Sequence, residues 1–332
     1  PQEYIKKSYE LSGDGKTPMF FATDKEFLGI IAVADTIKED SPKAIKELKD
    51  MGLYVVMITG DNERSANAIG KIAGVNEVIA GVLPDGKEKE IQRLKKYGKV
   101  IMVGDGINDA PALAQADIGI AMGKGGTDVA KNASDMILAD DNFVTIIEAV
   151  KQGRTIYDNI KKAIHFLIAT NIGEITTIFI GLLSGMESPL LAIQLLWINL
   201  VTDSFPAIAL GLEREEEDIM NRKPRNSKES IFAGGLWQKI ITEGVMMGCL
   251  TLFAFSLGTR LFGLTVGRTM AFVSLGMLEL VHSFNVKSEE SIFKVGVFEN
   301  KYLIGSLLLG TLLQVIVVVV PYFANIFELV PL

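Results

Sequence analysis

Short apolar runs alternate with charged segments through the first 160 residues. The run 28–34 is rich in Ile and Val and reads as a buried parallel strand. Ser41-Pro42 opens a helix with Ala44, Ile45 and Leu48 on one face. A second strand, 53–58, ends at Thr59-Gly60-Asp61-Asn62, followed by a helix over 63–73 that stops at Gly74. Val78-Ile79 form a short strand, and 85–97 is a charged amphipathic helix. Runs at 100–103, 118–121 and 136–138 complete the strands. This alternation predicts an α/β, doubly wound domain whose ligands sit at the carboxyl ends of the strands.

From residue 163 the pattern changes to long apolar stretches. Runs at 163–185, 189–212, 236–257, 269–284 and 302–320 are long enough to span a bilayer. They predict an α-helical transmembrane bundle of about five helices. Arg and Lys concentrate between Arg214 and Lys228, which assigns that loop, and the head preceding the first span, to the cytoplasm. The expectation is a multi-pass protein of the cell membrane with a cytoplasmic N-terminal head.

Composition agrees with this division. A chain of 332 residues has room for about two domains, and a mean hydropathy of +0.31 is high for a soluble protein. The net charge of −7 gives no reason to expect nucleic acid as a partner. One cysteine, Cys249, excludes an internal disulfide framework and a thiolate metal cluster, and reads as a buried small hydrophobe. Pro1-Gln2-Glu3 lacks the features of a signal peptide. The absent initiator methionine and the abrupt end at Val330-Pro331-Leu332 suggest a piece of something longer.

Candidate chemistry gathers at two places. In the head, Thr59, Asp61, Asp105 and Asp109 all fall at strand ends, with Gly60 in the turn between the first two. Thr59 can hydrogen-bond a phosphoryl oxygen, and Lys87 can set a positive charge near it. Asp105 can bind Mg²⁺, Asn108 can donate to a phosphoryl oxygen or an aspartate, and Asp109 can fix the local geometry. Phosphoryl transfer needs little more than such positioning and charge neutralisation. In the apolar half, Asn171 and Glu174 share one helix face, and Asn199, Thr202 and Asp203 share a face of the next. Glu279 is the acid of the fourth span, and Pro206 should loosen its helix just beyond Asp203. Polar groups inside spans read as functional by default, and hard oxygen donors suit Ca²⁺. His165, His282, Trp197 and Trp237 read as packing or interface residues.

The runs Thr-Gly-Asp-Asn at 59–62, Pro-Asp-Gly-Lys at 84–87 and Gly-Asp-Gly-Ile-Asn-Asp-Ala-Pro-Ala-Leu at 104–113 resemble the P-type ATPases, within the haloacid-dehalogenase-like superfamily. The resemblance implies ATP and Mg²⁺ as cofactors. It also implies a phosphorylated aspartate in Asp-Lys-Thr-Gly-Thr, a motif that would lie upstream of Pro1. Residues 1–27 then read as the end of a nucleotide-binding domain, 28–160 as the phosphorylation domain and 161–332 as the transmembrane domain. Asp35-Thr36 imitates the missing nucleophile, but Ile37 stands where threonine is needed. Gly15-Lys16-Thr17 imitates a P-loop, but Glu10 stands where its first glycine belongs.

The membrane half resembles the calcium-pump class of that family, through Asn171-Ile172-Gly173-Glu174, the run from Gln194 to Asp203 and the run from Asp218 to Arg225. In that class the residues matching Asn171, Glu174, Asn199, Thr202, Asp203 and Glu279 coordinate the transported ion. The helix that enters the first span would couple head to ion site. Ile31 to Lys38 and Ala114-Gln115-Ala116-Asp117 look more like heavy-metal pumps. Ion identity resides in the membrane donors, so the expectation is the carboxyl-terminal part of an ATP-driven Ca²⁺ pump, with membrane lipid, metal ions and ATP as partners. Its alternatives are a copper exporter, a membrane-anchored phosphatase and an inactive truncated fragment. Oligomeric state is left open.

Overall fold

The computed structural model describes residues 2–13, 15–33, 37–226, 229–288, 296 and 298–330. It divides into two compact units, Pro1–Lys151 with Met220–Pro224, and Gln152–Ile219 with Arg225–Leu332.

In the first unit, helix α1 (Gln2–Gly13) leads to strands β1 (Thr17–Ala22) and β2 (Phe27–Val33). These two pair antiparallel, with Thr17 opposite Val33. The expected buried parallel strand at 28–34 is therefore one arm of an antiparallel hairpin, and Leu28, Ile31 and Val33 are exposed. An apolar run alone cannot tell these cases apart, and the partner strand begins at Thr17, the last residue of the segment that imitates a P-loop. Ala34, Asp35 and Thr36 lie outside the described residues.

Helix α2 (Ser41–Asp50) buries Ala44, Ile45 and Leu48, as its periodicity requires. Strand β3 (Val56–Ile58) runs parallel to β4 (Glu77–Ile79). Between them, α3 (Glu63–Ala73) starts at Asn62, whose side chain accepts the Ser65 N–H at 3.1 Å. It ends at Gly74, whose φ of 78° suits the left-handed cap. Helix α4 (Pro84–Leu94) is followed by β5 (Ile101–Gly104), a short 3₁₀ turn (Ile107–Asp109) and α5 (Ala110–Gln115). Strand β6 (Ile118–Met122), α6 (Asp128–Ala133) and β7 (Met136–Leu138) complete the unit, with β5, β6 and β7 all parallel. The described parallel strands thus form two sets, and α4, α5 and α6 close over the second. Ile91, Met102, Ala112, Leu113, Ala121 and Ala130 form its core.

Among the described residues, five helices are long and apolar enough to cross a membrane. The first belongs to α7 (Val144–Leu183), 40 residues in all. The second stretch is wound in three parts: α8 (Ala192–Trp197), a π-helical turn (Ile198–Asp203) and α9 (Ser204–Gly211). The third and fourth, α10 (Leu236–Phe262) and α11 (Leu264–Val286), are parted by Gly263 alone. The apolar runs at 236–257 and 269–284 predict a longer break between these spans. Helix persists there because it satisfies its own backbone, and Gly263, at φ 98°, makes the turn. Helix α12 (Lys301–Val319) is the fifth, and a short α13 (Pro321–Ile326) follows. Cys249, expected to be buried, is exposed on α10. An apolar run on a helix long enough to span a membrane need not be buried in the protein itself.

Candidate functional sites

The candidate phosphate-site residues fall at the ends of β3 and β5, strands of two different sheets. Thr59 extends β3 by one residue, its N–H donating to the Ile79 carbonyl at 3.0 Å. Its hydroxyl donates to Asp61 Oδ2 at 3.0 Å and accepts the Asp61 N–H at 3.1 Å, a local turn that fixes both side chains. The Thr59 carbonyl accepts the N–H of Val82 at 3.0 Å. That bond ties the turn carrying Gly60 to the start of α4, the helix that presents Lys87.

Asp109 is the structural centre of the β5 end. Its Oδ1 accepts from Lys87 Nζ at 2.7 Å. Its Oδ2 accepts the N–H groups of Gly106 at 3.0 Å and Asp105 at 3.3 Å. Asp109 is buried, whereas Asp105 and Asn108 stay exposed at the strand end. The Asp105 carbonyl in turn accepts the Thr127 N–H at 2.9 Å. Lys87, Asp105 and Asp109 are therefore joined, while Asn108, next to Asp109 in sequence, is exposed.

Nearby, Asp117 holds the start of β5 by accepting the Val100 N–H at 2.9 Å. The Lys99 ammonium on Asp117 at 2.7 Å, and then that backbone N–H, keep its carboxyl below the usual carboxylate range.

The oxygen-rich site lies among α7, the π-helical turn and α11. Asn199 donates to Glu174 Oε1 at 2.7 Å. Thr202 donates to Glu279 Oε2 at 2.9 Å. Asp203 Oδ2 accepts from Thr170 at 2.9 Å, a partner on α7 that sequence reasoning missed. Relative exposure is 8% for Glu174, 0% for Thr202, 2% for Asp203 and 0% for Glu279. Asp203 Oδ1 and Glu279 Oε1 are buried without any hydrogen-bond partner. Asn171 stands apart from this set. It is exposed, and its amide donates back to the Leu167 carbonyl at 2.6 Å. One face at i and i+3 was too coarse a criterion, because a side chain that bonds its own preceding turn is drawn along the helix.

The π-helical winding falls on Asn199, Thr202 and Asp203 themselves, not beyond them. Pro206 has no N–H for the Thr202 carbonyl and crowds it, so the α ladder cannot close there. Such local widening recurs at functional sites because it re-aims side chains.

The two sites and the fold define a class: a haloacid-dehalogenase-like domain on the same chain as a multi-pass helical bundle. Residues 187–332 match the family described as cation transporting ATPase, C-terminus. Residues 2–117 and 87–150 match haloacid dehalogenase-like hydrolases. A calcium-transporting ATPase of Bacillus cereus is 42% identical over 91% of this chain and 39% of that protein. One of Bacillus subtilis is 40% identical over 98% of this chain and 40% of its own length. An endoplasmic reticulum calcium ATPase of Aspergillus fumigatus is 32% identical over 92% and 38%. The chain thus spans about two fifths of the length of these relatives. It belongs to the P-type cation-transporting ATPases.

Proposed function

We propose that this chain forms the ion-binding and phosphate-facing part of a longer ATP-driven Ca²⁺ pump. The observation that carries the reading is the pair of buried, unpartnered carboxylate oxygens, Asp203 Oδ1 and Glu279 Oε1. A buried acceptor left unmade costs about 1–3 kcal/mol, and more when charged. Two of them in one membrane site are best accounted for by a cation that both would ligate. The surrounding donors are carboxylate, amide and hydroxyl oxygens, which favour Ca²⁺ over a soft ion. The calcium-transporting relatives support the same cargo.

In the head, Asp105 is the residue proposed to hold Mg²⁺. It is an exposed hard-oxygen donor on a strand end, its backbone fixed by Asp109 and Thr127, and so fits that ion. Bound there, Mg²⁺ would supply charge neutralisation at a phosphoryl oxygen. Thr59 and Asn108 are the proposed donors to the transferring group, and Lys87 supplies positive charge at a position that Asp109 sets. The phosphorylated aspartate is proposed to come from outside these residues, with ATP as its phosphoryl donor. Membrane lipid is the proposed surrounding of the five spans.

The test uses vesicles carrying the full-length pump. Ca²⁺-dependent phosphorylation from radiolabelled ATP and Ca²⁺ uptake are measured for the parent, Asp203→Asn and Glu279→Gln. Each variant should raise the half-maximal Ca²⁺ concentration by about tenfold or more, or about 1.4 kcal/mol. Asp105→Asn should abolish phosphoenzyme formation while leaving Ca²⁺ binding intact. An unchanged Ca²⁺ dependence in both membrane variants would refute the ion site.

A further inference from the structure

The chain has two histidines in 332 residues, and the fold brings both to one carboxylate. His165 on α7 has Nε2 2.5 Å from Glu243 Oε2 on α10. His282 on α11 has Nε2 3.8 Å from the same oxygen. The two rings meet edge to face with centroids 5.9 Å apart, and Phe166 stacks on His282. The side chains of His165, Glu243 and His282 are 6%, 19% and 3% exposed. His282 Nε2 is buried, faces Glu243 and has no hydrogen-bond partner. Packing explains the rings but not that orphaned nitrogen, nor why two helices converge the chain's two imidazoles on one acid of a third.

This cluster is separate from the oxygen-rich site. Glu279, one turn before His282 on α11, takes its hydrogen bond from Thr202 of the π-helical turn, whereas His282 turns toward α10. The donor chemistry also differs. Two imidazole nitrogens and one carboxylate oxygen suit a borderline divalent transition cation, not Ca²⁺. Metal–ligand bonds of about 2.0–2.2 Å in a tetrahedral site hold ligand atoms about 3.3 Å apart. The separations of 2.5 and 3.8 Å straddle that value, and all three ligand atoms lie within 4.8 Å of one another. Side-chain shifts of under about 1 Å would open the short contact and close the long one.

We propose that His165, Glu243 and His282 form a second cation site, for Zn²⁺ or a similar transition ion, that clamps α7, α10 and α11 together with water in the fourth position. Binding would satisfy the orphaned nitrogen and replace a two-residue hydrogen bond with a three-helix bridge.

The 332-residue chain, purified in detergent without a polyhistidine tag and with Cys249→Ser, is labelled with ¹⁵N-histidine and titrated with Zn²⁺. Because only His165 and His282 report, every imidazole signal comes from the proposed site. One equivalent of Zn²⁺ should shift both imidazoles, and Co²⁺ should give the intense visible absorption of a four-coordinate ion. Glu243→Gln, nearly isosteric, and His282→Asn should each weaken binding at least on the order of 100-fold, the upper end for losing even an outer-shell partner. Asp203→Asn should leave the titration unchanged, which separates this site from the Ca²⁺ site. Imidazole signals indifferent to millimolar Zn²⁺ would overturn the proposal, as would a Glu243→Gln protein that binds as tightly as its parent.

Discussion

Asp109 offers the most direct test of how the head is held together. Its two oxygens are committed to different partners, Oδ1 to the Lys87 ammonium and Oδ2 to the Gly106 and Asp105 N–H groups. Every partner is a donor, so the site needs two acceptor atoms. Asparagine keeps the shape but has one acceptor and one donor. Facing its oxygen to the backbone sets its NH₂ against an ammonium; facing it to Lys87 sets its NH₂ against two N–H groups. Asp109→Asn therefore loses a charge-assisted bond in either orientation. That loss is about 1.5–3 kcal/mol, at the low end because Lys87 keeps 19% exposure and can recruit water. The bonds that remain weaken as well, since an amide oxygen is a poorer acceptor than a carboxylate. The sum is about 3 kcal/mol, or roughly 150-fold in a local opening constant.

Hydrogen exchange of the β5–α5 peptide in the detergent-solubilised chain reads this directly. Asp109→Asn should exchange about two decades faster there, with the transmembrane amides unaffected. Lys87→Met alone should cost less, because the carboxylate retains its two backbone donors. In the double variant the ammonium is gone, and the asparagine oxygen can serve both N–H groups without opposition. The double should then be more stable than the summed singles by about 1–2 kcal/mol. Strict additivity, or an Asp109→Asn exchange rate within about threefold of the parent, would refute the two-acceptor argument.

Other consequences can be checked in the same chain. Gly248 sits where a Cβ would lie 2.6 Å from Thr176 Cβ and 2.8 Å from the Gly173 carbonyl. Gly248→Leu should therefore force α10 off α7 and lower the unfolding temperature in detergent by several degrees, an overpacking cost of about 1–3 kcal/mol; an unchanged melt would mean the helices do not pack at this seam. Asp117 titrates below its ordinary value when folded, so its contribution is present above the unfolded pKa and is lost as pH falls through the lower folded one. Lys99→Met should move that acid loss of Val100 amide protection to higher pH, and an unmoved midpoint would show that Lys99 is not the dominant cause.

Legibility in the sequence followed the locality of each interaction. Helix α3 was readable to the residue because Asn62 and Gly74 mark its ends through contacts a few positions away. The β5 loop was readable because its glycines, acids and amide are contiguous. The hairpin of β1 and β2 was misread because its pairing partner is set by topology and not by the run itself. Glu243 escaped notice for a similar reason: a lone acid on α10 gains meaning only when α7 and α11 bring two imidazoles to it.

The proposed ion site shows where a helical-wheel argument stops. Asn199, Thr202 and Asp203 were assigned to one face by α-helical spacing. In the structure Asn199 and Asp203 both reach α7, through Glu174 and Thr170, whereas Thr202 reaches α11 through Glu279. A wider π turn makes this division possible, since fewer degrees separate successive residues and each side chain can address a different neighbour. Pro206 makes that winding tolerable, because the α ladder there is already broken. A membrane span must satisfy its own backbone yet leave side-chain oxygens uncommitted for a cation. Local rewinding meets both demands: the ladder is disturbed over one turn, and two carboxylate oxygens are left without partners inside an otherwise bonded cluster.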